Sequence, residues 1–414
     1  MGAAMCAPSG RQDANGGGTA AIGRQRAYGL AADERETLPV LPAVHSDIVN
    51  RLARGPSTGT WLSAAEDRTV VLYDAARHEQ LEVWAGHAKG VNAVAPLHAP
   101  HGDADALAAV SASRDCTLKL WRRGVREAAA TLEGHTLTVS AVCAPSVELV
   151  VSAGRDASVR SWDVRSGRQV GVARIARNLA TFLAPCGPAE PALVVQGSED
   201  LSVRLWDVRA MAVGSTIERT LQYFALCGAV SADGLYVLVG CNGFSGAGCE
   251  LRLYDRRRSG ALAVVRPHEH AVTACDFLPR AQTGGLVGAS ASKDGTVAVL
   301  DFLRAGVAGG EGEGGGGGLV HRLQLGSVSG QLTALVAVDG VQPPRPRHAA
   351  TACAPAEPAG GALAAVMVGT PRGSVHTLAL DPPTGSLREL CYTAPLPPLD
   401  DDDDPGAASP ALPA

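Results

Sequence analysis

Five segments of this 414-residue chain share one register, and that recurrence restricts the fold more than any other feature. They are SAAEDRTVVLYD from Ser63, SASRDCTLKLWR from Ser111, SAGRDASVRSWD from Ser152, QGSEDLSVRLWD from Gln196 and SASKDGTVAVLD from Ser290. An Asp falls at the same place in each, as Asp67, Asp115, Asp156, Asp200 and Asp294, and six residues later stand Tyr73, Trp121, Trp162, Trp206 and Leu300. Between these landmarks apolar and polar side chains alternate with the period of a half-buried strand. Each unit therefore reads as strand, tight turn, strand.

The spacings between turn aspartates are 48, 41 and 44, then 94, which is two repeats of 47. A degenerate fifth unit fills that gap as GLYVLVGCNGFSGAGCELRLYD, where a Gly-rich loop from Asn242 to Gly248 replaces the short turn. A seventh unit is legible in AAVMVGTPRGSVHTLAL from Ala364, without the Asp or the Trp. The expected fold is all-β, a single seven-bladed propeller of four-stranded antiparallel blades, a closure that removes exposed sheet edges. Two segments compete to complete the last blade: SLRELCYT from Ser386 and TLPVLPAV from Thr37.

A second landmark lies upstream of the units: His45, Gly86-His87, Gly134-His135 and, before the sixth, His268 or His270. These residues resemble the WD-repeat family, whose repeats join a His, a strand Ser or Thr, the turn Asp and the Trp in one hydrogen-bonded set. The resemblance implies His87, Ser111, Asp115 and Trp121 as one set and His135, Ser152, Asp156 and Trp162 as another. The first unit keeps His45, Ser63 and Asp67 with Tyr73 for Trp, and the fourth has Asn178 and Gln196 in the His and Ser places. A His, Ser and Asp also suggest a hydrolase triad, but a nucleophile and its base occur once at a single cleft. A constellation that recurs with a Trp attached is folding chemistry, so no catalytic residue, enzyme activity or cofactor is expected.

The residues outside the units bound the function further. Residues 37–394 form the propeller, with low-complexity insertions at 305–318 and 341–361, between a Gly/Ala-rich segment 1–36 and a Pro/Asp-rich tail 395–414, both expected to be disordered. The net charge of −5 equals the five aspartates Asp400–Asp404, so the rest of the chain is neutral and carries no nucleic-acid footprint. Ten scattered cysteines without zinc spacing read as reduced, mostly buried thiols, and no metal is expected. With no secretory signal and no apolar run of membrane-spanning length, the protein is expected to be intracellular. MGAAMC at the start partly fits an acylation pattern, with Gly2 for myristate and Cys6 for palmitate, and together they would give peripheral membrane association.

Binding is expected on the face that carries the Asp turns. Glu66, Arg114, Arg155, Glu199 and Lys293 precede the turn aspartates and give that face both signs, which suits a protein partner better than a phosphate backbone. Asn242 and exposed Phe244 of the fifth-unit loop are expected on the same face. The stretch Arg177 to Arg257, with ARN, SEDLSVRLWD, GCNGFSGAGCE and LRLYDRR, is similar to the family of WD repeat-containing protein thirty-one, propellers linked to cilia. That resemblance implies a non-catalytic scaffold for intraflagellar transport and membrane-coat components and small-GTPase regulators, working as a monomeric propeller within a complex in the cytoplasm and at the cilium and basal body. An alternative comes from Trp162-Asp163-Val164-Arg165 and Trp206-Asp207-Val208-Arg209. These resemble the WDxR boxes of substrate receptors that dock on cullin-based ubiquitin ligases through an adaptor, with Arg165 and Arg209 as the contacts.

Overall fold

Thr69–Asp74, the third strand of the first repeat, is buried along its middle on both faces, and so is its neighbour Thr60–Ala65. The alternation that reads as a half-buried strand is thus buried twice over, because successive blades pack face to face. A polar alternate there is satisfied from within the blade: Arg160, 6% exposed, donates to Ser158 Oγ and to Gln169. Only the fourth strands face solvent, as in Glu79–Ala85.

The computed structural model describes residues 38–394, apart from 98–106, 220, 280–282, 284, 303–318, 326–330, 342–362 and 382–385. The described strands form seven sheets in sequence order, spanning residues 49–85, 91–132, 139–174, 180–218, 225–265, 272–324 and 334–393, which we number as blades one to seven. The first strand of each lies innermost around a central channel and the last outermost. The molecule is a seven-bladed β-propeller. The degenerate fifth and seventh units are complete blades.

Apolar clusters lie between blades. Leu62, Val70 and Trp84 of blade one meet Val91, Val94 and Trp121 of blade two, with the two indoles stacked at 6.0 Å between ring centroids. Trp84, Trp121, Trp162 and Trp206 are each at most 1% exposed. Burying an aromatic of that size contributes on the order of 2–3 kcal/mol, so the interfaces between blades one and two, two and three, and three and four are anchored by these indoles.

Both competing segments close the ring. Ser386–Thr393 pairs antiparallel with Val375–Asp381 as the fourth strand of blade seven, and Val40–Leu41 then adds parallel to it, Val40 opposite Tyr392 and Leu41 opposite Thr393. Blade seven therefore has five strands, not the four expected. A parallel clasp forms because the chain leaves Leu41 for blade one beside the blade it has just joined. Pro39 and Pro42 flank the short strand, and its pairing uses their freedom from donating: the Tyr392 N–H gives to Pro39 O and the Ala394 N–H to Leu41 O.

Candidate functional site

In every blade the connection between the second and third strands lies on one face. In blade two it holds Asp115, which accepts hydrogen bonds from the Thr117 N–H and hydroxyl, the Ala88 N–H and His87 Nδ1. His87 Nε2 meets Ser111 Oγ at 2.7 Å, and Trp121 Nε1 donates to the same oxygen at 2.7 Å. Blade three repeats this with His135 at 3.1 Å from Asp156 and 2.8 Å from Ser152, and Trp162 donating to Ser152 at 2.8 Å. With a neutral imidazole giving its Nδ1 proton to the carboxylate, Nε2 must accept, so the serine hydroxyl donates to it and receives from the indole.

That is the connectivity of a hydrolase triad, and accessibility decides its meaning. Ser111 and Ser152 have no exposed surface, and a Trp N–H already occupies the oxygen that would attack. No acyl substrate reaches them. The sets pin the turns instead. Burial pushes His87 and His135 below the ordinary histidine range and takes His268 down to about 4. Burial alone would raise the turn carboxyls, but hydrogen bonds from Thr117 and His87 hold Asp115 at about 2, and those from His45 and Thr69 hold Asp67 at about 2.

The other blades are variants. In blade one His45 bridges Asp67 at 3.0 Å and Ser63 at 2.6 Å, while the buried Tyr73 hydroxyl has no hydrogen-bond partner among the described residues. In blade four Trp206 donates to Gln196, whose amide donates to Asn178, and Arg204 takes the histidine's part by pairing with Asp200 at 2.5 Å. In blade six the choice falls on His268, bound to Ser290 at 2.8 Å and Thr296 at 2.7 Å, with Asp294 standing off at 3.8 Å.

Sequence reading missed two substitutes and one ring. Glu250 occupies the place in blade five that Thr69 and Thr117 hold elsewhere; it is 4% exposed and pairs with Arg252 at 2.7 Å and Arg266 at 2.8 Å, supplying the absent turn carboxylate. In blade seven His376 pairs with Glu389 at 2.7 Å. The ring runs round the channel, where the second residue of the innermost strand bulges in blades one to six. Asn50 donates to Val91 O, Asn92 to Val139 O, Ser140 to Ala180 O and Thr181 to Ala225 O. Leu226 breaks it, and Thr273 turns back onto Ala291 O of its own blade. The signal was there: a small polar residue recurs second in the apolar first strands of blades one to four and six.

The charges before the turn aspartates do not stand free as a pattern. Glu66 pairs with Arg114 of the next blade at 2.8 Å, and Arg155 with Glu199 at 3.0 Å, so four of the five neutralise one another across blade boundaries. The spacing of one repeat that makes them look alike also makes them neighbours. Lys293, exposed, has no ion pair among the described residues.

The Asn242–Gly248 loop stands on this face at blade five. Its Gly246 N–H donates to Glu269 O at 2.7 Å, and the Glu269 N–H donates to Asp294 Oδ2 at 2.8 Å, which ties the loop to the turn carrying Lys293. Phe244 projects from it, 67% exposed. Arg165 and Arg209 lie in turns at the opposite end of their blades, between the third and fourth strands; Arg209 contacts Asp207 at 3.5 Å. Gly2 and Cys6 lie outside the described residues. The eight cysteines within them are free, and burial pushes the Cys186 thiol up to about 11 and Cys241 to about 12, well out of the reactive range.

Comparison with known proteins agrees with this chemistry. The family model described as WD domain, G-beta repeat matches residues 38–74, 78–122 and 126–163. Over 129 residues, 30% of this chain, the sequence is 35% identical to the nuclear distribution protein nudF of Aspergillus flavus, of which it covers 27%. It is 35% identical over 95 residues, 21% of this chain and 6% of the relative, to WD repeat-containing protein 97 of Homo sapiens. It is 31% identical over 110 residues to pre-mRNA-processing factor 19 of Caenorhabditis elegans, covering 26% of this chain and 21% of that protein.

Proposed function

We propose that this WD-repeat propeller is a non-catalytic scaffold that gathers protein partners on its turn face and serves cilium assembly and ciliary trafficking. The observation that carries the turn-face reading is the blade-five loop: a large aromatic exposed on a segment held at its base by backbone hydrogen bonds. An ordered, exposed aromatic is what interface centres are built from. The similar proteins bear names from different cellular tasks, nuclear distribution and pre-mRNA processing, so propeller architecture does not choose the pathway. The ciliary assignment rests on the resemblance of residues 177–257 to a cilium-linked family. It places a monomeric propeller within a larger complex in the cytoplasm and at the cilium and basal body, with intraflagellar transport and membrane-coat components and small-GTPase regulators as partners, and with acylation of Gly2 and Cys6 supplying a membrane contact.

Proximity labelling of the tagged full chain in a ciliated cell tests this, run beside Phe244→Asp and Gly2→Ala. Ciliary transport components should be labelled by the wild type and lost with Phe244→Asp, and Gly2→Ala should lose the membrane fraction. Labelling confined to ubiquitin-ligase components would overturn the ciliary reading in favour of the WDxR alternative.

A further inference from the structure

The channel enclosed by the innermost strands widens near the turn face into a cavity of about 280 Å³. Two charged residues line it, Arg51 and Lys293, and no carboxylate does. Arg51 follows the bulged residue of the first innermost strand, and Lys293 stands at the rim, immediately before the turn aspartate of blade six. Among the described residues neither has an ion pair.

The nearby carboxylates are already committed. Glu66 is held by Arg114 and by Asn50, Glu199 by Arg155, and Asp276 by Arg54 and the Ala337 N–H. The uncharged polar groups of the wall are committed too, since the ring amides and hydroxyls spend their protons on backbone carbonyls. What the mouth retains is positive charge without a counter-charge, in a recess that accommodates a side chain. Outside it Glu66 and Arg114, and Arg155 and Glu199, cancel each other across blade boundaries, so a polyanion gains little from them beyond these two cations. A single carboxylate matches them. Phe244, exposed on the loop that Glu269 ties to the turn of Lys293, offers an apolar surface for a residue near that carboxylate.

We infer that the channel mouth is an anion site that takes a Glu or Asp side chain from an extended segment of a protein partner, between Arg51 and Lys293. This rests on the turn face being the partner-binding face.

The test is fluorescence anisotropy with a fluorescein-labelled peptide of about ten residues built from Glu and Leu, and the same peptide with Gln for Glu. Each is titrated with the full chain, with Lys293→Gln and with Arg51→Gln/Lys293→Gln, folding being checked by circular dichroism. The wild type should prefer the Glu peptide by about tenfold, one decade of affinity for a paired carboxylate. Lys293→Gln, a change at an exposed side chain, should reduce the preference, and the double variant should abolish it. Raising salt from about 50 to about 500 mM should shrink it as well. Equal binding of the two peptides, or a preference that survives the double variant, overturns the site. Binding of the Glu peptide only after Asp400–Asp404 are replaced by Asn would assign the mouth to the chain's own acidic run and overturn the partner reading. Loss of partner labelling in Phe244→Asp with no peptide preference would remove the anion site and leave the turn-face scaffold standing; a peptide preference with labelling unchanged would do the reverse.

Discussion

Thr333 donates its hydroxyl to the carbonyl of Val49 at 2.5 Å, across the junction where the last blade meets the first. The two residues are 284 positions apart, and their bond repeats one that Asn50, Asn92, Ser140 and Thr181 make between blades that follow one another in the chain. Arg54 reinforces the same junction, giving its Nε–H to Ala337 O of blade seven at 3.0 Å, and reaches on with a guanidinium N–H to Phe277 O of blade six at 2.6 Å. The ring is therefore closed by the chemistry that spaces its interior, with the parallel clasp of Val40 and Leu41 on the outside.

Thr333→Val keeps the shape and leaves the Val49 carbonyl without its donor, which should cost about 1 kcal/mol. Hydrogen exchange should show the loss concentrated at blades seven and one. Uniform destabilisation of all seven blades would show that the closure bond is not a local latch.

Trp162 fills the space between blades two and three and donates to Ser152. Trp162→Ala should lower stability in a urea titration by about 3–5 kcal/mol, as a large core truncation. Trp162→Phe retains most of the volume but deprives Ser152 of the indole proton, and should fall clearly short of that loss. Equal effects would mean that packing alone sets the cost.

The residue after each turn aspartate adopts a positive φ: 70° at Arg68, 70° at Cys116, 59° at Ala157 and 66° at Leu201, with glycine there only at Gly295. A side chain in that region costs about 1–2 kcal/mol, and glycine returns about 0.5–1 of it as added chain entropy. Leu201, exposed at the turn of blade four, has little packing to lose. Leu201→Gly should therefore raise the unfolding free energy by about 0.5 kcal/mol, and a drop of 1 kcal/mol or more would show that Leu201 is held by contacts.

Acid should unfold the propeller in two stages. His268 has a folded pKa of about 4, below its unfolded value near 6.5, so the unfolded chain takes up the proton first. Stability present above about pH 6.5 is lost as pH falls through that window, and His87 and His135 act in the same direction. Asp67, Asp115 and Asp156, held at about 2, withdraw their contribution only below about pH 4. Thermal melts should be level from about pH 8 to 7 and fall below about 6.5, with a shallower fall in His268→Gln. A melting temperature unchanged down to about pH 5 would contradict the buried neutral histidines.

Arg165 and Arg209 are exposed, and the contact of Arg209 with Asp207 at 3.5 Å is a surface pair. Replacing both with Ala should leave stability within about 0.5 kcal/mol. Under the ligase reading the same variant should lose the adaptor from a pull-down that the wild type retains, and absence of the adaptor with wild type would end that reading.

Much of this molecule is written locally. The register of Ser, Asp and Trp within each unit closes over a dozen residues, and with His87 or His135 a short way upstream it predicts the strands, the turn and the buried set, because the partners are fixed by one hairpin. Asn178 and Gln196 kept their places for the same reason. What tertiary structure decided involves partners a whole repeat or more away. Glu66 finds Arg114 48 positions on, so charges that look free along the sequence cancel in the ring. Glu250 became a turn carboxylate only because Arg266, brought back by the next strand, stands beside Arg252. Thr333 reaches Val49, and Leu41 reaches Thr393, only because seven similar wedges complete a circle; no stretch of the chain contains the angle between blades, and it is face-to-face packing of their buried strands that sets it.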